Sequence, residues 1–254
     1  MMSDLKGKVI LITGSSTGIG AAAARAFGAH GARVAVHYNA SEAPARAVVH
    51  DVASAGGEAT LFKADMAQPG EPARLVEAVR RHFGRIDVLV NNAGSVFGRK
   101  PFAEWSAGEF DAMLQLNVRS VVEACQAIIP VYRAQGGGNI INVTSIAARN
   151  GGGPGVVLYA ATKGFVSTIT RGLAKEFAPD KVRVNAVAPG VILTPLHDRH
   201  TPPATLEALK NTVPMGRLGE ADECSGAFLY LASDELSGYV TGQVLEVNGG
   251  QLMP

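Results

Sequence analysis

A short apolar segment, a glycine-rich loop and an alanine-rich segment follow one another without a break near the start of the chain. Residues 8–12, Lys-Val-Ile-Leu-Ile, form an apolar run that is typical of a strand buried on both faces. Residues 13–20 (Thr-Gly-Ser-Ser-Thr-Gly-Ile-Gly) form the loop, and residues 21–29 are rich in alanine, the strongest helix former. This order of strand, loop and helix predicts an α/β fold whose glycine loop faces a ligand.

The glycines of this loop suit the binding of a dinucleotide. Gly14 permits a tight turn, Gly18 lets a pyrophosphate approach the backbone, and Gly20 lets the helix pack close to the strand. The N-terminus of the following helix offers free N–H groups and a partial positive charge to the phosphates. The predicted cofactor residues of the loop are Gly14, Ser16, Thr17, Gly18, Ile19 and Gly20.

The second predicted strand, residues 33–38, ends where such a fold reads the ribose of its cofactor. An acidic side chain there would accept the 2′-hydroxyl bonds of NAD and repel the 2′-phosphate of NADP. The side chains present are uncharged or weakly basic, namely His37, Tyr38, Asn39 and Ser41. These donors suit a 2′-phosphate, so we predict a preference for NADP. NAD stays open, because Glu42 is close by and no arginine stands in the glycine loop.

The rest of the chain alternates predicted helices and strands without a linker. These elements are helix 42–55, strand 59–63, helix 71–83, strand 87–90, helix 106–133, strand 139–144, helix 158–177 and strand 182–187. Such alternation predicts a parallel sheet with right-handed connections. In the long helix, Ser106 and Glu109 form a predicted capping box, and Asn117 stands among apolar positions. Asn117 therefore either makes a structural hydrogen bond or belongs to a polar site.

Polar residues directly follow three of the predicted strands. Asp65 comes after the third strand, Asn-Asn-Ala-Gly at residues 91–94 after the fourth, and Ser145 after the fifth. The carboxyl ends of parallel strands meet at the ligand crevice. Asp65 either bonds an adenine amino group or forms a turn, and Ser145 is either catalytic or a cap or turn former. Residues 91–94 are predicted to line the cofactor rather than only to turn.

Tyr159 and Lys163 lie one turn apart on the predicted helix 158–177, which places a phenol beside an ammonium group. At roughly 5 Å and an effective dielectric constant of about 20, their attraction is about 3 kcal/mol, which would lower the tyrosine pKa by roughly two units. The pair would then suit acid–base chemistry at about pH 7 to 8. The glycine-rich residues 151–155 can bend the chain so that Ser145 joins the pair. The alternative is an ordinary exposed pair on a helix.

Composition argues against several classes of function. The 254 residues are 47% hydrophobic. The 23 basic and 22 acidic residues are well mixed along the chain, so the sequence predicts no basic surface that would bind nucleic acid or an anionic membrane. Cys125 and Cys224 are interpreted as buried small hydrophobic residues, and the histidines lack metal-ligand spacing. No signal core or membrane span is recognisable. We expect a soluble cytoplasmic protein without a metal site.

Taken together, these motifs resemble those of the short-chain dehydrogenase/reductase family. The motifs that carry the resemblance are the glycine loop, residues 91–94, Asn117, Ser145, Tyr159 with Lys163, and Pro189-Gly190. The resemblance implies a single Rossmann-type domain over residues 1–254, with a doubly wound seven-stranded parallel sheet of order 3-2-1-4-5-6-7, often assembled as a homotetramer. It also implies hydride transfer between a nicotinamide and a carbonyl or secondary alcohol.

The resemblance also implies a role for individual residues. Tyr159 would donate a proton to the substrate oxygen that Ser145 holds, Lys163 would lower the tyrosine pKa and bind the nicotinamide ribose, and Asn117 would hold a water molecule. The implied cofactor contacts beyond the glycine loop and the second strand are Asp65, Met66, Asn92, Ala93, Gly94, Tyr159, Lys163, Pro189, Gly190, Ile192 and Thr194. The spacing of fourteen residues between Ser145 and Tyr159 exceeds that of many members by one, which would alter one wall of the substrate cleft.

The sequence leaves the substrate open. Residues 191–216 are predicted to form a loop over the substrate, rich in proline, histidine and threonine, with no charged set obviously fitted to an anion or a sugar. The resemblance favours a reductase of 3-oxoacyl thioesters. The alternative enzyme is a glucose-type sugar dehydrogenase or another alcohol dehydrogenase running oxidatively. A non-catalytic dinucleotide sensor or scaffold is the alternative of another class.

Overall fold

The computed structural model describes residues 2–253, apart from the side chain of Asp198. Its strands are, in chain order, β1 (Val9–Ile12), β2 (Arg33–Tyr38), β3 (Glu58–Lys63), β4 (Val88–Asn91), β5 (Gly138–Val143), β6 (Val182–Pro189), β7 (Ile192–Leu193), β8 (Gly219–Glu220) and β9 (Val244–Val247). Its α-helices are α1 (Gly18–Ala29), α2 (Glu42–Ser54), α3 (Glu71–Phe83), α4 (Ala107–Leu114), α5 (Ser120–Gln135), α6 (Ala147–Asn150), α7 (Val157–Phe177), α8 (Pro195–His200), α9 (Pro203–Lys210), α10 (Ser225–Ala232) and α11 (Asp234–Ser237).

Seven of these strands form one parallel sheet in the order β3-β2-β1-β4-β5-β6-β9. This confirms the predicted sheet, whose last strand is β9 because β7 and β8 pair with each other in a separate small sheet. The chain order reverses at β1, where Ile10 lies opposite Val34 of β2 on one side and Val88 of β4 on the other. Ligands of open parallel sheets bind outside the carboxyl ends of the strands at such a reversal.

The central strand β1 is apolar throughout because helices cover both faces of the sheet. Ile10 and Ile12 pack with side chains of α1, α2 and α10, whereas Val9 and Leu11 pack with side chains of α3, α5 and α7. All four side chains are fully buried, and burial of each contributes roughly 1.5–3 kcal/mol. The continuous apolar run in the sequence is therefore the signature of a strand between two layers of helices.

The predicted helix 106–133 is interrupted in its middle. The predicted capping box is present, since the Ser106 hydroxyl accepts a hydrogen bond from the Glu109 N–H and the Glu109 carboxylate accepts one from the Ser106 N–H. A π-helical turn, Gln115–Arg119, then separates α4 from α5. Such single turns are frequent at functional sites, and this one carries Asn117.

The predicted loop 191–216 is largely helical, contrary to the expectation from its composition. Pro195 and Pro203 stand at the first positions of α8 and α9. A helix needs no hydrogen-bonded N–H at its first position, and the fixed φ angle of proline suits it there. Proline therefore marks helix starts in a segment where its abundance suggested a loop.

No helix within residues 2–253 is long and apolar enough to cross a membrane. Over the same residues, no group of three His, Cys, Asp or Glu side chains is placed so that it could hold a metal ion. Cys125 and Cys224 are both free and buried, as small hydrophobic residues would be.

Candidate active site

A cleft of about 670 Å³ lies over the carboxyl ends of the central strands, a size typical of cofactor and small-molecule sites. We call one end the loop end; it is formed by the glycine loop, residues 13–20, and by the segments that follow β2 and β3. We call the other the tyrosine end; it is formed by Ser145, the start of α7, residues 94–97 and α8. Of the predicted site residues, all but Gly20, Asn91 and Asn117 line the cleft; the buried Asn91 amide instead donates a hydrogen bond to Asn142 Oδ1.

The glycine loop has backbone conformations that require glycine. Gly14 has a φ angle of +66° and Gly18 one of +55°, in the left-handed region that other residues disfavour. A Cβ at Gly18 would also lie 3.3 Å from the Thr194 side chain, which packs against the loop. A Cβ at Gly20 would lie only 2.5 Å from the Gly14 carbonyl oxygen and from the Asn92 amide. Gly20 therefore serves close packing and does not itself face the cleft.

The N-terminus of α1 belongs to the loop end. The helix begins at Gly18, earlier than the alanine-rich segment suggested, and its N-cap residue Thr17 makes no side-chain hydrogen bond to the first turn. The first turn also contains no acidic residue. Free N–H groups and the positive end of the helix dipole are thus available to an anion.

Side chains after β4 hold the glycine loop in place. The Thr13 hydroxyl accepts hydrogen bonds from the N–H groups of Asn92 and Ala93 at 2.9 and 3.0 Å. The Asn92 amide donates to the carbonyl oxygens of Thr13 and Gly14 at 2.8 and 3.1 Å. Both protons of this amide are therefore bound to the protein, so Asn92 shapes the loop end as well as lining it.

His37 is a structural residue of the loop end, which corrects the expectation that its ring offers a free donor. Its Nδ1 accepts a hydrogen bond from the Gly14 N–H at 2.8 Å, which leaves Nε2 to donate to the Ala64 carbonyl oxygen at 3.1 Å. Burial lowers the pKa of His37 from 6.5 to about 4. The ring is therefore neutral at pH 7, and both of its nitrogens are engaged by the backbone.

Tyr38 and Glu42 place polar groups at the end of β2. Burial, followed by the charge of Glu42 and a hydrogen bond to its carboxylate, raises the pKa of Tyr38. Glu42 also pairs with Arg46 at 2.6 Å, and this partner lowers the pKa of Glu42. The neighbouring lining residues are Asn39, Ser41, Asp65 and Met66.

Asp65 forms a turn, as one of its two interpretations predicted, and its proposed bond to an adenine amino group stays a prediction. It lines the loop end of the cleft. Its carboxylate accepts a hydrogen bond from the Ala67 N–H at 3.0 Å, and its carbonyl oxygen accepts one from the Gln68 N–H at 2.9 Å. Asp65 is thus a turn residue that also faces the cleft.

The predicted serine and tyrosine meet at the tyrosine end. The Tyr159 hydroxyl shares a hydrogen bond with Ser145, whose Oγ also accepts one from the Ala147 N–H at 3.1 Å. Ser145 is therefore both a turn former and a partner of Tyr159. Three glycines of residues 151–155 have φ angles between +76° and +80°, which turn the chain back toward the start of α7.

Lys163 lies one turn after Tyr159 on α7 and is buried. Its Nζ donates a hydrogen bond to the Val143 carbonyl oxygen at 2.8 Å and lies 5.8 Å from the centroid of the Tyr159 ring. A Cβ at Gly94 would lie 3.3 Å from Nζ, so the glycine leaves the ammonium group accessible from the cleft. Burial lowers the pKa of Lys163 to about 8. The side chain is therefore mostly protonated at pH 7.

The pKa of Tyr159 corrects the expectation from its lysine neighbour. Burial raises this pKa above the ordinary tyrosine value, while the hydrogen bond with Ser145 and the charge of Arg99 lower it. The expected decrease of the tyrosine pKa assumed that Tyr159 and Lys163 are partly exposed to water. In the structure both are buried, which disfavours the charged form of each group. The cation that lowers the tyrosine pKa is Arg99, a residue that no motif singled out.

Asn117 lies behind the cleft with zero exposure. Its Nδ2 donates to the Ser95 carbonyl oxygen at 2.8 Å and to Thr162 Oγ1 at 3.2 Å, and its Oδ1 accepts from the Ser95 N–H at 2.9 Å. A Cβ at Gly94 would lie 3.2 Å from Oδ1. The structural interpretation of Asn117 is therefore confirmed. A water molecule held by Asn117 would have to use the second lone pair of Oδ1 or the backbone carbonyl.

The end of β6 and the short β7–β8 sheet close the cleft on the remaining side. The predicted residues that line it there are Pro189, Gly190, Ile192 and Thr194. A Cβ at Gly190 would lie 2.8 Å from the Cα of Asn248, so the C-terminal segment can pack here only against glycine. Ile192 pairs with Gly219 of β8.

The tyrosine end also contains residues that sequence reasoning missed. Further lining residues of the cleft are Ala40, Ala67, Ser95, Phe97, Leu116, Val143, Thr144, Pro195, Leu196, His197, Arg199 and His200. Arg99 is half-buried and does not itself line the cleft, but its guanidinium group contacts Thr201, directly after α8. Most of those at the tyrosine end come from residues 95–97 and 195–200, which have no periodicity. The one available signal was that each segment follows a recognised motif.

The glycine loop at the reversal of a parallel sheet, and a buried tyrosine–lysine pair in the same cleft, define the class of Rossmann-type oxidoreductases that use a nicotinamide dinucleotide. Residues 14–251 match the family model described as enoyl-(acyl carrier protein) reductase. The chain belongs to the short-chain dehydrogenase/reductase family.

Known relatives span nearly the whole chain but differ in substrate. The 3-oxoacyl-[acyl-carrier-protein] reductase of Synechocystis sp. is 38% identical over 99% of this chain and 100% of its own. The 3beta-hydroxysteroid dehydrogenase 1 of Eggerthella lenta is 37% identical over 100% of this chain and 97% of its own. Among solved structures, the NADH-dependent reductase A1-R' complexed with NAD is 40% identical, with a TM-score of 0.89 over 100% of both chains.

Proposed function

We propose that the protein reduces a carbonyl group of a small molecule to the alcohol with a nicotinamide dinucleotide as cofactor. The observation that carries this proposal is the hydrogen-bonded pair of Ser145 and Tyr159 above the buried Lys163, at one end of a cleft whose other end is a glycine loop. The cleft brings an acid–base group within reach of a bound cofactor, which a passive dinucleotide sensor or scaffold would not need.

The loop end fits the dinucleotide on the chain's own geometry. The positive φ angles of Gly14 and Gly18 form the tight loop that a pyrophosphate can approach, and the start of α1 offers unbonded N–H groups. The proposed cofactor residues are those of the cleft at this end and along the ends of β4 and β6: Gly14, Ser16, Thr17, Gly18, Ile19, Tyr38, Asn39, Ser41, Asp65, Met66, Asn92, Ala93, Gly94, Pro189, Gly190, Ile192 and Thr194.

When bound, the cofactor supplies the hydride. Tyr159 then donates its proton to the carbonyl oxygen of the substrate, and Ser145 holds that oxygen by a hydrogen bond. The raised pKa of Tyr159 keeps the phenol protonated at neutral pH, as this direction requires. The Lys163 ammonium group, fixed by Val143, faces the cleft beside Tyr159 and would bind the ribose of the nicotinamide.

We further propose that NADH is used in preference to NADPH, which reverses the preference expected from the sequence. That expectation relied partly on His37, whose ring nitrogens are both engaged by the backbone. Glu42 lies about twenty residues beyond the glycine loop, the usual position of the acid that binds the ribose hydroxyls. Its carboxylate is bonded to Tyr38, which lines the cleft, and would repel a 2′-phosphate. A similar reductase is described as NADH-dependent, in agreement with this assignment.

The test of the proposed function is the oxidation of NADH and NADPH by purified protein with aldehydes, diketones, 3-oxoacyl thioesters and oxo acids. Tyr159→Phe should lower the turnover number by about a hundredfold or more, the usual contribution of a positioned proton donor. Tyr239→Phe is the matched control, since Tyr239 is fully exposed. Circular dichroism would establish that both variants fold. Unchanged turnover in Tyr159→Phe, or no carbonyl reduction by a protein that binds NADH, would contradict the proposal.

We also propose that the protein works as a homotetramer in the cytoplasm, as the family resemblance implies. Large apolar side chains that are more than half exposed, among them Phe102, Met215 and Leu236, support a protein–protein contact. Light scattering should then give four times the chain mass of 26.3 kDa. A monomeric mass at micromolar concentration would exclude the assembly.

A further inference from the structure

Arg99 connects two walls of the tyrosine end. It lies in the segment between β4 and α4, and its side chain is half-buried. Its Nε donates a hydrogen bond to Thr201 Oγ1 and its Nη1 donates one to the Pro154 carbonyl oxygen, both at 3.4 Å. Thr201 directly follows α8, and Pro154 belongs to the glycine-rich turn before Tyr159. The guanidinium group is therefore held beside the proposed proton donor by contacts from two sides.

The Arg99 guanidinium group forms no ion pair with a carboxylate of the described residues. Burial lowers the pKa of Arg99, but an arginine side chain stays protonated at physiological pH. Its two protein acceptors are neutral oxygens, and they use two of its five N–H donors. A partly desolvated cation with unused donors is costly unless an anion joins it.

The described residues that line the tyrosine end include two cations. They are the buried Lys163 and the exposed Arg199. Asp65 is the one carboxylate among the described lining residues of the cleft, and it lies at the loop end. A cleft lined by one sign of charge concentrates ligands of the opposite sign. The substrate end is therefore electrostatically suited to an anion.

We propose that the substrate is a small carbonyl compound that carries a carboxylate, and that the Arg99 guanidinium group binds this carboxylate while Tyr159 faces the carbonyl oxygen. The inference rests on the proposed reductase function and names its substrate class. Arginine presents a planar pair of donors that matches the two oxygens of a carboxylate. Bound in this way, the substrate is oriented as well as attracted, which favours reaction at one carbonyl group.

A phosphate on a carrier thioester is the other source of negative charge at such a site. In an acyl thioester of coenzyme A or of a carrier protein, the nearest phosphate lies at the far end of the long pantetheine arm. Arg99, in contrast, lies close enough to Tyr159 for its charge to lower the tyrosine pKa. The geometry therefore favours an anionic group on the same small molecule as the carbonyl.

The experiment compares oxo acids with their methyl esters, for example 4-oxopentanoate and 5-oxohexanoate, as substrates of the wild type, Arg99→Gln and Lys100→Gln. Lys100 is the matched control because it is the next residue, but its ammonium group pairs with Glu109 and lies over the Trp105 ring at 4.8 Å. The measured quantity is the ratio of kcat/KM for the acid to that for the ester. We expect the wild type to favour the acid, Arg99→Gln to lower the ratio at least tenfold, and Lys100→Gln to retain it.

Two results would overturn the carboxylate assignment. If Arg99→Gln lowers kcat/KM for acid and ester by the same factor, Arg99 only supports the structure. The second result compares kcat/KM for a 3-oxoacyl coenzyme A thioester with kcat/KM for its neutral N-acetylcysteamine analogue. If Arg99→Gln lowers this ratio but leaves the acid-to-ester ratio unchanged, the anion that Arg99 binds is the carrier phosphate.

A binding measurement separates this inference from the proposed function. With oxidised NAD present, the carbonyl compounds cannot be reduced, so calorimetry gives their dissociation constants without turnover. Tighter binding of the acid than of the ester, lost in Arg99→Gln and kept in Lys100→Gln, would support the anion site even if no carbonyl compound is reduced. Equal binding of acid and ester by the wild type would overturn the anion site even if reduction is observed.

Discussion

The loop end and the tyrosine end of the cleft differ in how the chain holds their polar groups. At the loop end, backbone N–H groups and neutral side chains such as His37 and Asn92 are bonded to one another at 2.8–3.1 Å. At the tyrosine end, Lys163 and Arg99 are cations whose contacts are neutral oxygens. Apart from the Asp65 carboxylate and the free N–H groups at the start of α1, the loop end thus binds its polar groups within the protein, whereas the tyrosine end keeps positive charge available for a reacting molecule.

The largest expected effect concerns Lys163, which lies where the two ends meet. Lys163→Met keeps an unbranched side chain of similar length but removes the charge and the bond to Val143. We expect kcat/KM for carbonyl reduction to fall about a hundredfold or more, because the cation that would position the nicotinamide ribose beside Tyr159 is lost. Lys175→Met, at the exposed end of the same helix, is the control and should retain the wild-type rate. Comparable rates for both variants would remove Lys163 from the mechanism.

A second effect concerns stability at the loop end. The pKa of His37 is about 4 in the folded chain, compared with 6.5 when exposed. Its stabilising contribution is therefore fully present above about pH 6.5 and is lost as the pH falls toward 4, a change of about 3 kcal/mol. Urea unfolding should show a steeper loss of stability over this range for the wild type than for His37→Gln. His50→Gln, which alters a side chain that is 81% exposed, should behave like the wild type. Parallel profiles for the wild type and His37→Gln would contradict the neutral, buried histidine.

The cofactor preference gives a smaller effect at the same end. Glu42→Gln removes the carboxylate beside Tyr38 and releases Arg46 from its ion pair. We expect the ratio of dissociation constants for NADPH and NADH to fall about tenfold, or about 1.4 kcal/mol, because repulsion of the 2′-phosphate is replaced by attraction to the arginine. Glu77→Gln, in an exposed pair with Arg80 on α3, serves as the control. An unchanged ratio would mean that Glu42 does not reach the ribose site.

The smallest expected effect is a displacement of the pH profile at the tyrosine end. Reduction requires a protonated Tyr159, so kcat/KM falls as the pH rises through the tyrosine pKa. Because the Arg99 charge lowers that pKa, Arg99→Gln should move this descending limb to higher pH. Lys100→Gln should leave the limb in place. A displacement to lower pH in Arg99→Gln would show that the two side chains do not interact as the structure indicates.

The fold was predictable because its signals are local. An apolar run that must fill two helix-covered faces, as in β1, and an amphipathic helix between each pair of strands permit few arrangements other than a parallel sheet. The capping box at Ser106 and Glu109 was readable for the same reason, since its bonds join residues three apart. Predictions failed where one residue type has two local uses: Pro195 and Pro203 suggested a loop but begin helices.

The candidate site was only partly predictable. Spacing along α7 placed Tyr159 and Lys163 on one helix face, but the pKa of each depends on burial, which the sequence does not state. The sequence predicted that His37 donates a hydrogen bond to a ligand. In the structure its ring lies beside Gly14 and accepts a hydrogen bond from the Gly14 N–H instead.

The sequence by itself determined the order of strands and helices, the glycine loop and the presence of serine, tyrosine and lysine near one another, because each depends on neighbours within a few turns or at successive strand ends. Only the tertiary structure decided which polar groups form hydrogen bonds within the protein and which are free to bind a ligand. Arg99 shows the reason: its contact with Thr201 joins residues 102 positions apart, through two segments without periodicity. Their mutual placement is set by how they pack on the completed sheet, and that placement brings the cation beside Tyr159.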